Sequence, residues 1–321
     1  MLIEIKSRVA QLVPVHFTAE VPSEQVRRIL ESTFADNSYF CSPRETWVVV
    51  DSGTPAEDAF RTAEDGSPLH GLKLLTLDTN RGKTGAIREG LSWILGESRA
   101  DYLVTRDCDG DNRIEDLPRL MLLADSMKGR GPVSVFGCRP SLSKPMNWER
   151  LQWESITNQV VLELTGYLLA RQGKTLLKNY WNQPELDLQS GYRLYDREAA
   201  MIASQSLQEL PDDREVYLLA CEISPFIEFS LQAGRVGQVY RSTQVEQPVS
   251  SYAEINFAVF YGKLLAYHAD CYEIERSLLR QMFDNALVES EGMQSALRTA
   301  LMKCRQIIDP AASPLQRPSL L

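Results

Sequence analysis

The 321 residues hold only three histidines, and their six cysteines are scattered, with no Cys-x-x-Cys pair. Zinc-like ligand spacing is therefore missing, and the pattern suits free thiols in a reducing compartment. Positive charge is also short. Lysine and arginine total 34 against 43 aspartates and glutamates, a formal net charge of -9. That balance argues against a broad surface for nucleic acid or anionic lipid, but it leaves room for a local basic pocket around one diphosphate. No apolar run approaches the ~20 residues needed to span a bilayer. The opening Met-Leu-Ile-Glu-Ile-Lys lacks the long apolar core of a signal peptide. The expectation is a soluble, cytoplasmic protein without a nucleic-acid partner. With 44% hydrophobic and 24% charged residues, the chain has an ordinary globular composition, sufficient for one extended domain or two modest ones.

Short apolar runs alternate with amphipathic stretches along the first half. The pattern predicts strands over 11–17, 46–50, 72–77, 102–105 and 133–136, with helices over 22–34, 83–95 and 114–127. Strands separated by helices imply βαβ units and a mostly parallel sheet, an α/β fold with helices on its flanks. In such sheets ligands sit beyond the carboxyl ends of the strands. Further on, helices are expected over 147–171 and 215–232 and a strand over 235–240, followed by a largely helical stretch from 252 to 307. The proline-rich end reads as a loose tail.

The segment Asp107-Cys-Asp109-Gly-Asp111-Asn112 follows the apolar run 102–105. A strand there delivers three carboxylates at alternating positions into a turn. Packed carboxylates repel one another unless a cation neutralises them, and hard oxygen ligands suit Mg²⁺, Mn²⁺ or Ca²⁺. An EF-hand calcium loop would need glycine where Asn112 stands and glutamate where Pro118 stands. A solvated turn capping the next helix, with Glu115 and Asp116 at its start, is a second reading. A metal site for a substrate diphosphate is the third.

Six segments in order bear on that choice. They are Leu12-Val-Pro14-Val-His16, Val48-Val-Val-Asp51-Ser-Gly53-Thr-Pro55, and Asn80-Arg-Gly82-Lys83-Thr-Gly85-Ala-Ile-Arg-Glu-Gly90. Asp107-Cys-Asp109-Gly110, Phe136-Gly-Cys-Arg139 and Asp187-Leu-Gln189-Ser-Gly191-Tyr-Arg193-Leu-Tyr-Asp-Arg197 complete the set. Together they resemble the family 2 glycosyltransferases of the GT-A fold, nearest the branch of dolichol- and polyprenyl-phosphate sugar synthases. Ser52 stands where that family carries a second aspartate. The resemblance spans roughly residues 11 to 245.

It implies a GT-A domain over 1–245, with a nucleotide-sugar half over 11–140 and an acceptor half over 141–245. A helical extension over 246–308 and a tail over 309–321 would follow. The implied ligands are a nucleoside diphosphate sugar and a divalent metal, Mg²⁺ or Mn²⁺. Asp109 would ligate the metal, and Asp107 would assist it or orient the sugar. Pro14, Asp51, Lys83, Gln189 and Arg193 would contact the nucleotide sugar or the acceptor. Asp187, Arg139 and Glu222 would serve the chemistry, Glu222 as a general base or a second metal contact. The acceptor would be a polyprenyl phosphate or a small hydroxyl compound, and the outcome inversion.

Tryptophans 148, 153 and 181 bracket a helix on the acceptor side and suit sugar faces or a core. The stretches 160–170 and 257–267 are apolar enough for core helices or for peripheral contact with a membrane. Two other functions compete. A sugar-phosphate nucleotidyltransferase would open with a glycine-rich signature after its first strand, where this chain reads His16-Phe-Thr-Ala-Glu. A catalytically degenerate relative that serves as a binding protein or scaffold is the non-enzymatic alternative.

Overall fold

The computed structural model describes residues 2–52, 55–129, 131–139, 148–179, 186–218, 220–242, 256–288 and 295–311. Eight strands form one mixed sheet: β1 (Val9–Val15), β2 (Thr46–Val50), β3 (Lys73–Thr76), β4 (Tyr102–Thr105), β5 (Val133–Cys138), β6 (Leu177–Asn179), β7 (Arg193–Asp196) and β8 (Arg235–Tyr240). Their order is β3-β2-β1-β4-β7-β5-β8-β6. All neighbours run parallel except β7, which lies antiparallel between β4 and β5. This is the expected α/β arrangement of a GT-A fold, with helices packed on the sheet.

The central strands read as unbroken apolar runs because both of their faces are covered. Alternate residues go to opposite sides. Ala10, Leu12, Trp47 and Val49 enter one core cluster, while Val13, Val15, Val48 and Val50 enter another. Pro14 lies within β1, where a missing N–H would normally cost a ladder bond. Arg106 N donates to Leu12 O at the end of β4, and Leu12 pairs with Thr105, the last residue of that strand. Pro14 faces the same side two residues later, beyond the β4 pairing, so no strand bond is lost.

The helix Gly82–Glu97 lies against β1 through Gly90, where a Cβ would come within 2.3 Å of Leu12 Cδ1. The region expected as one helix over 215–232 forms two, Arg214–Tyr217 and Ala220–Leu231. Three helices close the described chain: Phe257–Cys271, Arg276–Val288 and Ser295–Ile308. Leu264, Leu301 and Ile308 share a core cluster with Leu12 and Trp47 of the sheet. Trp153 is buried and stacks on Phe257 and Tyr261, with ring centroids 6.2 and 6.0 Å away. The apolar faces weighed for membrane contact are therefore core faces: Val160, Val161, Leu164, Tyr261, Leu264 and Leu265 are all buried. No helix among the described residues is long and apolar enough to cross a membrane. Gly53, Trp181, the boundary at 245 and most of the expected tail fall outside the described residues.

Candidate active site

The carboxyl ends of β1, β2 and β4 converge on one edge of the sheet, and the acidic turn leaves from the centre of that edge. Three contacts hold the turn in place. Arg106 is fully buried and donates to Asn112 O (2.9 Å), Thr33 O (2.8 Å) and Asn37 Oδ1 (3.2 Å). Burial pulls its pKa down. The Thr33 hydroxyl donates to Cys108 O (2.8 Å). Arg241, just past β8, pairs with Asp111 at 2.5 Å and donates to Asn112 Oδ1 at 2.7 Å. Gly110 turns the chain with φ +81°, a conformation that favours glycine.

Asp107 and Asp109, both partly exposed, remain at the mouth of this turn. Burial raises the Asp109 pKa, and the neighbouring Asp107 charge pushes it further, to about 6. Desolvation acts on Asp107 in the same direction, but Lys83 outweighs it and leaves that carboxyl below its usual range. Lys83 Nζ lies 2.8 Å from Asp107 Oδ1 and 2.9 Å from Glu222 Oε1. Lysine in the first turn of a helix faces the positive end of the dipole, and these two carboxylates offset that cost.

Local chemistry explains how the three meet. Asp51, at the end of β2, accepts from Arg81 N (2.8 Å) and Gly82 N (2.7 Å). It thereby satisfies two amides at the start of the helix that carries Lys83. The Thr84 hydroxyl donates to Leu218 O and accepts from Cys221 N, tying the start of the helix Ala220–Leu231 to the same place. Glu222, almost fully buried, is thereby set beside Lys83. Gly191 completes the pocket. A Cβ there would lie 2.3 Å from Asp107 Oδ2, so only glycine lets that carboxylate rest on the 187–193 segment.

The acceptor-side residues form a second buried cluster. Arg139 binds Asp187 through Nε (2.8 Å) and Nη2 (2.6 Å), and reaches Glu154 at 2.7 Å. Burial opposes charge on both partners, yet their attraction prevails: Asp187 is held below the usual carboxylate range and Arg139 above its own. Gln189 Nε2 donates to Asn158 Oδ1 at 3.3 Å. Arg193 donates to the carbonyls of Ser190 and Leu188 and lies 4.5 Å from the Phe136 ring centroid. Pro14 is buried in its strand. Among the described residues, no three His, Cys, Asp or Glu side chains are gathered as a ready-made metal cage.

The Glycosyl transferase family 2 model matches residues 13–201, more than half of the chain. The chain belongs to that family. It is thus a glycosyltransferase, and its solved structural neighbours share the GT-A fold. Two of them are crystal structures of glucosyl-3-phosphoglycerate synthase from Mycobacterium tuberculosis. One contains phosphoglyceric acid; the other contains Mn²⁺, uridine-diphosphate-glucose and phosphoglyceric acid. In both cases the TM-score is 0.51 and the identity 15%, covering 86% of this chain and 85% of that one. At that identity the likeness is one of fold. No curated protein matches the chain by sequence.

Sequence reasoning missed three residues that hold this candidate site together. Glu154 had a signal, since it stands four residues after Arg150 on one helix and pairs with it at 2.7 Å. Arg106 had a weaker one, as a charge inserted between an apolar strand and an acidic turn. Arg241 had none, because only the β5–β8 pairing brings it to the turn.

Proposed function

We propose that this glycosyltransferase moves a sugar from a nucleoside diphosphate sugar to a hydroxyl of a small acceptor, with inversion, using a divalent cation. The meeting of Lys83, Asp107 and Glu222 beside Asp109 at the end of β4 carries this reading. Asp109 and Asp107 would hold Mg²⁺ or Mn²⁺. Their hard oxygens and mutual repulsion fit such an ion, and Mg²⁺ characteristically takes one or two carboxylates plus phosphate oxygens and water. When bound, the cation withdraws negative charge from the departing diphosphate.

Lys83 supplies the chain's own cation for the diphosphate. A charge-assisted hydrogen bond of this kind contributes about 1.5–3 kcal/mol. Asp51 serves by fixing the start of the Lys83 helix, since both of its oxygens are engaged with backbone amides. In the transfer, the acceptor oxygen bonds to the anomeric carbon while the bond to the diphosphate oxygen breaks. Glu222 takes the hydroxyl proton. Arg139 is committed to Asp187 and Glu154, which favours a hydroxyl acceptor over a lipid phosphate. Asp187, Gln189 and Arg193 then shape the acceptor wall.

The test is turnover of sugar donors by wild type and Glu222→Gln, followed as nucleoside diphosphate release with hydroxyl acceptors. Glu222→Gln should keep donor affinity and lose 10²- to 10⁴-fold in kcat, the usual range for a general base. Full turnover in that variant contradicts the assignment of the base. Failure of wild type to release nucleoside diphosphate from UDP- or GDP-sugars contradicts the transfer itself.

A further inference from the structure

Lys83 holds two acids that come from different elements. Its Nζ is 2.8 Å from Asp107 Oδ1 and 2.9 Å from Glu222 Oε1. Its charge also acts on Asp109. The lysine thus already neutralises a carboxylate to which a divalent cation is assigned.

The members of this group differ in how far they can move. Asp107 Oδ2 rests against Gly191, where a Cβ would lie 2.3 Å away, and Asn112 Nδ2 donates to it at 3.4 Å. Asn112 is itself fixed, since its Oδ1 accepts from Arg241 and its O from Arg106. The oxygen that Asp107 can offer a cation is therefore Oδ1, the one that Lys83 holds. The Glu222 side chain is only 4% exposed, and the Thr84 hydroxyl ties down the start of its helix. Lys83 is 28% exposed, and its charge stands on a flexible four-carbon stem. Asp51 anchors the backbone just before it by accepting from the amides of Arg81 and Gly82. The ammonium can swing while the helix stays.

A Mg²⁺ or Mn²⁺ ligated by Asp107 would lie about 2.1 Å from Oδ1. Lys83 is in hydrogen-bond contact with that same oxygen, so the two cations would stand a few ångströms apart and repel. A diphosphate changes the balance. Its oxygens ligate the cation and accept from Lys83 at once, which puts negative charge between the two positive ones.

We infer that Lys83 is a built-in counter-ion of this site. It bars a lone Mg²⁺ or Mn²⁺ from Asp107, and a nucleoside diphosphate draws it off, so that cation and diphosphate enter together. The part given to the diphosphate rests on the donor reading above. Lys83 then works against the cation and for the diphosphate. By linkage, the diphosphate raises cation affinity by the same factor as the cation raises diphosphate affinity, and Lys83 enlarges that factor.

Two measurements test it. In the first, Mn²⁺ alone is titrated into wild type and Lys83→Met, and UDP and GDP are titrated into both with Mn²⁺ present. Lys83→Met should bind Mn²⁺ about tenfold tighter, the effect of removing one like charge a few ångströms away near a protein surface, while its nucleotide affinity falls. Lys83→Arg keeps the charge and should bind Mn²⁺ as weakly as wild type. General damage to the site would weaken both ligands. Mn²⁺ affinity in folded Lys83→Met equal to or below that of wild type overturns the role of Lys83. Absence of nucleotide binding to wild type contradicts the donor reading instead, because the Mn²⁺ comparison is made without nucleotide. The second is a crystal structure of wild type with Mn²⁺ and UDP or GDP. Lys83 Nζ should have left Asp107 Oδ1 for a phosphate oxygen. A cation on Asp107 with Lys83 still at hydrogen-bond distance from Oδ1 overturns the exchange.

Discussion

Lys83 Nζ stands between Asp107 and Glu222, 2.8 and 2.9 Å from their carboxylates. The lysine thereby joins the helix that follows β3 to a helix that begins 137 positions later. Without it, two carboxylates would face each other around the proposed diphosphate site. Lys83→Met should therefore weaken binding of a nucleoside diphosphate by about 10- to 100-fold, the equivalent of one charge-assisted hydrogen bond. Calorimetric titration checks this, and unchanged affinity would remove Lys83 from the donor site.

Gly191→Ala is expected to be a site-specific lesion. The new Cβ would meet Asp107 Oδ2 at 2.3 Å and its Cγ at 2.8 Å, so the carboxylate must move. Overpacking of this kind costs about 1–3 kcal/mol. The variant should fold with a lowered midpoint in urea, and its donor affinity should fall more than that of Gly96→Ala, where a Cβ meets nothing within 4 Å.

How far the sequence carried is clearest at the strands. Thr46–Val50, Tyr102–Thr105 and Arg235–Tyr240 run where the apolar pattern placed them. Parallel strands buried on both faces announce themselves as apolar runs. Strand β7 escaped notice because its four residues include the charged Arg193 and Asp196; Arg193 is met by the nearby carbonyls of Leu188 and Ser190 and Asp196 by the distant Val133 amide. The short helix Leu2–Arg8 was also missed. At the site, Lys83, Asp107 and Glu222 were legible as separate residues, but their contact depends on Thr84 and Leu218, which carried no signal. Arg139 and Asp187 suggested ligand groups and are found on each other. An ion pair between residues 48 positions apart is written in the tertiary fold, not in either motif.

The Arg241–Asp111 pair predicts a double-mutant cycle with strong coupling. Both side chains are buried, with 6% and 5% exposure. Removing one partner of a buried pair is costly, about 3–5 kcal/mol. Arg241→Met should destabilise by that order, measured by urea unfolding, and Asp111→Asn in the same chain should recover part of the loss. Additive effects would show that the pair does not hold the acidic turn.

Stability should fall below neutral pH because of His268. The imidazole is fully buried against Ser224 Oγ at 3.0 Å, and burial draws its pKa down to about 4. In the unfolded chain it titrates near 6.5. Between those values the unfolded state binds more protons, so native stability is complete above about pH 6.5 and declines as pH falls toward 4. The decline attributable to this residue is at most about 3 kcal/mol. Urea midpoints from pH 7.5 to 4.5 should show a steeper loss in wild type than in His268→Gln.

The most direct test is calorimetric titration of UDP and GDP, then of their sugars, with and without Mn²⁺, on wild type and Asp109→Ala. Binding that requires the metal in wild type and is lost in Asp109→Ala is the expected result. Binding that ignores both the metal and the substitution would contradict a cation-assisted donor site at Asp109.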